Sequence, residues 1–287
     1  MNTGIIGLGA MGAGMALNLH RAGWLAAAWN RTRTRAEALA RDHGLPLAKN
    51  PAALAAACDL ILLSVSADAD LFEVLEALRP GLRPGSIVMD TSTVSAESAR
   101  RAAAMLEEED CAFLDAPVSG GREGAEKGAL AMMVGGDAAA LARARPVLEA
   151  IAARVVHMGP VGAGQATKAV NQIMAAGINQ AVTEALAFGV AQGLDMARVI
   201  EVVSSGAAGN WFLEHRGRSM LAGRFDPGFR LALHHKDLGI CREMAAAAGV
   251  DLPLTERTLE DYRRLMDTGH GDEDISALYR LKRPADA

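Results

Sequence analysis

Residues 3–15 read TGIIGLGAMGAGM, and the reading of this stretch decides the fold. Thr3–Leu8 is a short apolar run of strand type, and Ala13–Arg21 has helical texture. Between them Gly7, Gly9 and Gly12 keep a G-x-G-x-x-G spacing. The first glycine permits a tight turn, the second lets the backbone approach a pyrophosphate, and the third lets the helix pack close to the strand. A helix N-terminus at that point offers N–H donors and the positive end of its dipole to an anion. Gly7, Leu8, Gly9, Ala10, Met11 and Gly12 are therefore the expected cofactor-binding loop, against the blander reading of a simple tight turn.

Working outward, strand-type runs alternate with Ala-rich helical stretches. Trp24–Asn30, Asp59–Val65, Ser86–Asp90 and Cys111–Asp115 read as buried strands, with amphipathic segments such as Ser95–Glu109 between them. Such alternation predicts a parallel sheet covered on both faces, a Rossmann-type doubly wound α/β domain. Leu130–Val134 and Arg154–His157 add two short strands around a helix near Ala138–Ala150. After Gly162–Gly164 the texture changes to helix alone. Gln165–Gln192 predicts one long interdomain helix, about 40 Å at 1.5 Å per residue. Further helices are expected over Met196–Ser204, Trp211–Leu221, His234–Ala248, Leu254–Asp267 and Ile275–Leu281. The expected domains are thus 1–162, α/β, and 163–287, all-α.

Bulk composition narrows the function classes. The chain has 287 residues, 51% of them apolar and 22% charged, which suits two ordinary globular domains. A net charge of −5 with scattered basic residues excludes nucleic acid or an anionic membrane as the expected partner. Glycine or a charge interrupts every long apolar run, so no membrane span is expected. Cys58, Cys111 and Cys241 are widely spaced and show no metal-binding pattern. They read as buried thiols in a reducing cytoplasm.

The second strand ends unusually. An acid there would hold the adenosine ribose of NAD and repel a 2′-phosphate. This chain instead has Asn30-Arg31-Thr32, followed by Arg33 and Arg35. Arg31 can form charge-assisted bonds to a 2′-phosphate, and Asn30 can bond a ribose hydroxyl. NADP(H) is the expected cofactor, with NAD accepted less well. The alternative is that these arginines are merely solvated at the start of a surface helix.

Four segments, GLGAMGAGM (Gly7–Met15), DTST (Asp90–Thr93), DAPVSGG (Asp115–Gly121) and GAGQATKAVNQ (Gly162–Gln172), resemble the β-hydroxyacid dehydrogenases. That family includes 3-hydroxyisobutyrate dehydrogenase, tartronate semialdehyde reductase and the glyoxylate/succinic semialdehyde reductases. A fifth, FDPGFRLALHHKDL (Phe225–Leu238), looks most like the tartronate semialdehyde reductase branch. The resemblance implies that Lys168 is the catalytic acid and base. A lysine in that role needs burial to pull its pKa towards neutrality. Asn171, at i+3 on the same helical face, can position Lys168 or bond the substrate. The resemblance further assigns the substrate carboxylate to Ser119, Gly120 and Gly121. It places Thr93, with Ser92 assisting, near the nicotinamide ribose, and Leu63 and Ser64 along the cofactor. Lys236 is implied to reach both substrate and cofactor. His234 and His235 invite a metal reading, but the family uses none and no carboxylate cage accompanies them. Trp211 and Phe229 suit pocket walls, with buried aromatic core as the commoner outcome.

The expected activity is interconversion of a short β-hydroxy acid and its semialdehyde by an enzyme that prefers NADP. Its expected partners are a small carboxylate substrate and further copies of itself, as a homodimer or homotetramer. Imine reductases resemble this family but typically replace the lysine. A 6-phosphogluconate dehydrogenase would be much longer. A non-catalytic NADP(H)-binding module has no need to keep Lys168, Asn171 and Ser119 together.

Overall fold

A computed structural model describes residues 1–283, so the last four residues of the expected second domain lie outside the described ones. Two compact units emerge, Met1–Lys168 and a second beginning at Ala169.

The first unit is built on eight strands, β1 (Thr3–Ile6), β2 (Leu25–Trp29), β3 (Leu60–Leu63), β4 (Ile87–Asp90), β5 (Ala112–Asp115), β6 (Val118–Ser119), β7 (Leu130–Gly136) and β8 (Ala152–Gly159). Threaded among them are α1 (Ala10–Arg21), α2 (Arg33–His43), α3 (Pro51–Ala57), α4 (Asp68–Leu78), α5 (Ala96–Glu107), α6 (Gly121–Lys127) and α7 (Ala138–Leu148). The sheet order is β2-β1-β3-β4-β5-β7-β6, with β8 on β7. β1 to β5 are parallel, and the direction of winding reverses beside β1. That reversal is the switch point at which open α/β sheets bind ligands, beyond the carboxyl ends of their strands.

Period-two alternation explains why both faces are covered. Along β3, Leu60 and Leu62 enter the core that holds Met15 and Leu19 of α1. Ile61 and Leu63 enter the opposite core, with Leu54 of α3 and Leu71 and Leu75 of α4. Each fully buried leucine contributes about 1.5–3 kcal/mol. The sheet is not wholly parallel, however. β7 runs antiparallel to both β5 and β6. The ladder of Val118–Ser119 with Met132 and Ala131 makes a two-residue strand just before the Gly120–Gly121 turn.

The long helix, α8, spans Ala163–Ala191. Its length and composition alone would suit a membrane span. Yet Gln165, Lys168, Gln172, Asn179, Gln180 and Thr183 along it are buried and hydrogen-bonded within the protein. The units divide at Lys168 rather than at the change of sequence texture near Gly162, because the first turns of α8 are tied to β5. The Asp115 carboxylate accepts N–H bonds from Gly162 and Gln165, both 2.8 Å. A side chain at Gly164 would collide with the Asp115 and Met133 carbonyls, so only glycine allows this approach.

The second unit contains the rest of α8 with α9 (Met196–Ser204), α10 (Trp211–Leu221), α11 (Leu231–Ala248) and α12 (Pro253–Asp267). Ile275–Leu281, expected as an α-helix, is a 3₁₀ helix. Asp274 pins its start through Ser276 and holds the N–H groups of Gly228 and Phe229 as well. Asn179 bonds the Tyr262 hydroxyl and the Ile275 carbonyl, threading polar order through this core.

Candidate active site

The glycine loop leaves β1 at Gly7, whose φ of +94° lies in the left-handed region. A Cβ on Gly7 would strike the Ser64 carbonyl, and one on Gly12 would strike the Gly7 carbonyl. Both glycines are therefore demanded by packing. Gly9 differs: a Cβ there would meet nothing within 4 Å. Gly9 is the N-cap of α1, and no side chain caps that terminus. Open space over a helix N-terminus of this kind fits a pyrophosphate, whose oxygens would take the N–H groups of the first turn. Leu8 is buried core, so its contribution to such a site is backbone. Ala10 is exposed, and Met11 is half-buried against the sheet. The helix begins at Ala10, earlier than the expected Ala13, which puts Met11 and Gly12 in its first turn.

At the end of β2, Asn30 acts first on its own chain. Its Oδ1 accepts the Leu8 N–H at 2.8 Å and its Nδ2 donates to the Thr32 carbonyl at 2.9 Å. Asn30 thus ties the end of β2 to the glycine loop. Arg31 is exposed, and its Nη1 lies 2.7 Å from Asp70 and 3.2 Å from Glu73 of α4. Arg33 pairs with Glu37 along α2. Thr32 is the exposed N-cap residue of that helix.

The strand ends beyond β3 and β4 are interlocked. Leu63 is buried, and its carbonyl accepts the Thr91 N–H and hydroxyl. Ser64 donates its N–H to Ile6. Ser92 accepts the Val65 N–H at 2.8 Å, so it fastens two loops together instead of facing outward. Thr93 sits half-buried one residue later.

Lys168 is 6% exposed, and its Nζ donates to the Val118 carbonyl at 3.0 Å. The expected lysine and the expected Ser119–Gly121 loop are therefore neighbours within the first unit. Gly120 and Gly121 have φ of +130° and +60°, conformations open to glycine, where the chain turns from β6 into α6. Burial pushes the Asp115 carboxyl above its ordinary range, while N–H donors of Gly162, Gln165 and Gly164 pull against that shift. Gln165 locks the same corner: its Nε2 donates to the Ser92 carbonyl and its Oε1 accepts the Val94 N–H.

In the second unit, a relay joins two expected residues. Asn171 donates to Gln172 at 2.9 Å, Gln172 donates to Asp237 at 2.6 Å, and Asp237 pairs with Lys236 at 2.8 Å. Asp237 is buried while Lys236 is partly exposed. His234 is committed to the Tyr262 hydroxyl and the Gln172 carbonyl. Burial and the charges of Arg263 and Arg242 hold His235 below its ordinary pKa. Trp211 is not core: it is 56% exposed and stacks on His215. Phe229 is half-buried against His234.

Sequence reasoning assigned no role to Asp115, Gln165 or Gln172. Their signal was present, since Asp115 lies in DAPVSGG, Gln165 and Gln172 lie in GAGQATKAVNQ, and a buried acid at a strand end needs donors. Asp70 and Glu73 had no such signal.

Comparison with known proteins agrees with this architecture. The family model of the NAD binding domain of 6-phosphogluconate dehydrogenase matches residues 2–159. That of the NAD-binding domain of NADP-dependent 3-hydroxyisobutyrate dehydrogenase matches residues 162–282. The chain is 36% identical to an NAD-dependent L-serine dehydrogenase of Pseudomonas aeruginosa, over 97% of each chain. It is 35% identical to the 2-hydroxy-3-oxopropionate reductase of Escherichia coli, over 97% of this chain and 96% of that one. The solved Mycobacterium tuberculosis 3-hydroxyisobutyrate dehydrogenase with L-serine superposes with a TM-score of 0.89, at 33% identity over 99% of both chains. With its dinucleotide fold, buried lysine and near-complete coverage by such relatives, the chain belongs to the β-hydroxyacid dehydrogenase family and is an NAD(P)-dependent hydroxyacid oxidoreductase of the 3-hydroxyisobutyrate dehydrogenase type.

Proposed function

We propose that this enzyme interconverts a short β-hydroxy acid and its semialdehyde, prefers NADP(H), and uses Lys168 to move the proton. The observation that carries the reading is the burial of Lys168 beside Val118, one residue from the Ser119–Gly121 turn. The nicotinamide cofactor, when bound, supplies or accepts the hydride. Lys168 Nζ donates a proton to the carbonyl oxygen in reduction and takes it from the hydroxyl in oxidation. Ser119 and the N–H groups at Gly120 and Gly121 hold the substrate carboxylate, where glycine permits close approach. Asn171 orients the reacting group, and the buried Asp237 orients Lys236, which is assigned to substrate and cofactor. Gly7–Gly12 hold the pyrophosphate and Arg31 the 2′-phosphate, with Asn30, Thr32, Leu63, Ser64 and Thr93 lining the nucleosides. Exposed Val170, Met174 and Phe188 on α8 support association with a second copy. Three buried thiols support a reducing cytoplasm.

Replacing Lys168 by Ala tests the mechanism. Turnover with a panel of semialdehydes is expected to fall by on the order of a hundredfold or more. NADPH binding, followed by its fluorescence, is expected to persist. Near-normal turnover in this variant would remove Lys168 from the chemistry.

A further inference from the structure

The cation assigned to the 2′-phosphate does not stand alone. Arg31 Nη1 meets Asp70 Oδ1 at 2.7 Å and Glu73 Oε2 at 3.2 Å, so two carboxylates converge on one nitrogen. Both acids project from α4, where a spacing of three residues puts them on one face. They are fixed to unequal degrees: the Asp70 side chain is 22% exposed and that of Glu73 is 65%. Asp70 lies in the first turn of the helix, where the dipole favours its charge. The corner formed by these three side chains carries one positive and two negative charges.

A 2′-phosphate brings a charge of about −1.5 to −2 if it behaves like other phosphomonoesters at neutral pH. To engage the guanidinium it must share Arg31 with, or take it from, two acids that repel it. A ribose 2′-hydroxyl meets no such repulsion.

We infer that Asp70 and Glu73 are specificity-determining residues that act through Arg31 and hold back its preference for NADP(H). The inference rests on the assignment of Arg31 to the 2′-phosphate. It makes the dinucleotide choice a balance between one arginine and two acids on a different helix. On this account the missing acid at the end of β2 is partly replaced by acids from α4. The effect is moderate, because exposed charges are screened by water and salt.

The test titrates NADPH and NADH separately, by the fluorescence of the bound nucleotide, into wild type, D70N, E73Q, D70N/E73Q and R31A. Thermal unfolding of each variant confirms that it is folded. E73Q is the safeguard, since Glu73 is exposed and lies beyond the first turn of its helix. D70N and E73Q are each expected to tighten NADPH binding about three- to tenfold at low salt. NADH binding should change by less than about twofold, and the NADPH gain should shrink as salt rises. R31A should weaken NADPH binding selectively. If R31A does so while D70N and E73Q leave NADPH binding unchanged or weaken it, the acids orient Arg31 and do not restrain it. The inference then fails and the phosphate assignment stands. If R31A leaves the NADPH/NADH ratio unchanged, the phosphate assignment fails and takes the inference with it.

Discussion

The carboxylate of Asp115, at the end of β5, accepts the backbone N–H of Gln165 in the first turn of α8 at 2.8 Å. A second oxygen takes Gly162 at the same distance, so a residue from the sheet caps the helix that carries Lys168. The cap satisfies N–H groups that would otherwise be buried without acceptors. It also fixes the first turns of that helix, up to Lys168, beside Val118, the acceptor of Lys168.

Replacing Asp115 by Ala is expected to destabilise the protein by about 1–3 kcal/mol, the cost of leaving buried donors unpaired. Turnover should fall further than this loss of stability implies, because Lys168 loses its placement. Dinucleotide affinity should stay within about twofold, since the glycine loop is untouched. Thermal unfolding, kcat and NADPH titration separate these effects. An unchanged kcat in a folded variant would show that the cap serves stability alone.

The Asn30 side chain accepts the N–H of Leu8 and donates to the Thr32 carbonyl, so it bridges the glycine loop and the start of α2. Its replacement by Ala should weaken NADPH and NADH by the same factor, because the displaced loop serves both. One lost bond is worth about 1 kcal/mol, or roughly fivefold in affinity. Removal of Arg31 should instead act on NADPH alone. A selective effect of N30A on either dinucleotide would mean that Asn30 reads the ribose directly.

What was legible in the sequence was local. The spacing of Gly7, Gly9 and Gly12 after an apolar run dictates a turn and a helix start within a few residues. The unbroken apolar run Leu60–Leu63 reads as a strand buried on both faces. Lys168 was marked by its family segment, GAGQATKAVNQ. The parts that escaped were partnerships between distant residues. Arg31 and Asp70 are 39 positions apart, and Asp115 and Gln165 are 50 apart. No helical or strand period connects such pairs. The antiparallel pairing of Val118–Ser119 with β7 was hidden for the same reason, since a two-residue strand has too few residues to show alternation. Trp211 departs from the buried core that aromatic bulk usually implies: its ring is exposed, stacking on His215 with the Arg216 guanidinium over it.

Cys58 is fully buried at the end of α3, and burial pushes its thiol pKa up to about 11. Burial also raises the Cys111 thiol. Native protein at pH 8 should therefore react slowly with a thiol reagent at both positions, while unfolded protein reacts at all three cysteines. Above the ordinary value of 9.0 the unfolded Cys58 thiol ionises first, so its contribution to stability declines as pH rises from there through about 11. Mass-resolved alkylation at pH 8 checks the first expectation, and rapid modification of Cys58 in folded protein would contradict its burial.

Gly9 and Gly12 belong to one motif, yet the structure asks different things of them. A methyl group on Gly12 would overlap the Gly7 carbonyl, so Gly12→Ala must push α1 away from β1. A loss of about 1–3 kcal/mol in stability is expected, with loss of dinucleotide binding as a consequence. Gly9 has an extended ψ of −159° at φ −71°, accessible to any residue, and its missing side chain faces open space. Gly9→Ala should therefore fold with stability within about 0.5 kcal/mol of wild type. Its methyl group would stand where the pyrophosphate must approach, so NADPH and NADH binding should both weaken, on the order of tenfold or more. Thermal unfolding and nucleotide titration of the two variants read these effects apart. Tight binding by a well-folded Gly9→Ala variant would place the pyrophosphate elsewhere. A fully stable Gly12→Ala variant would show that α1 can retreat from the strand at no cost.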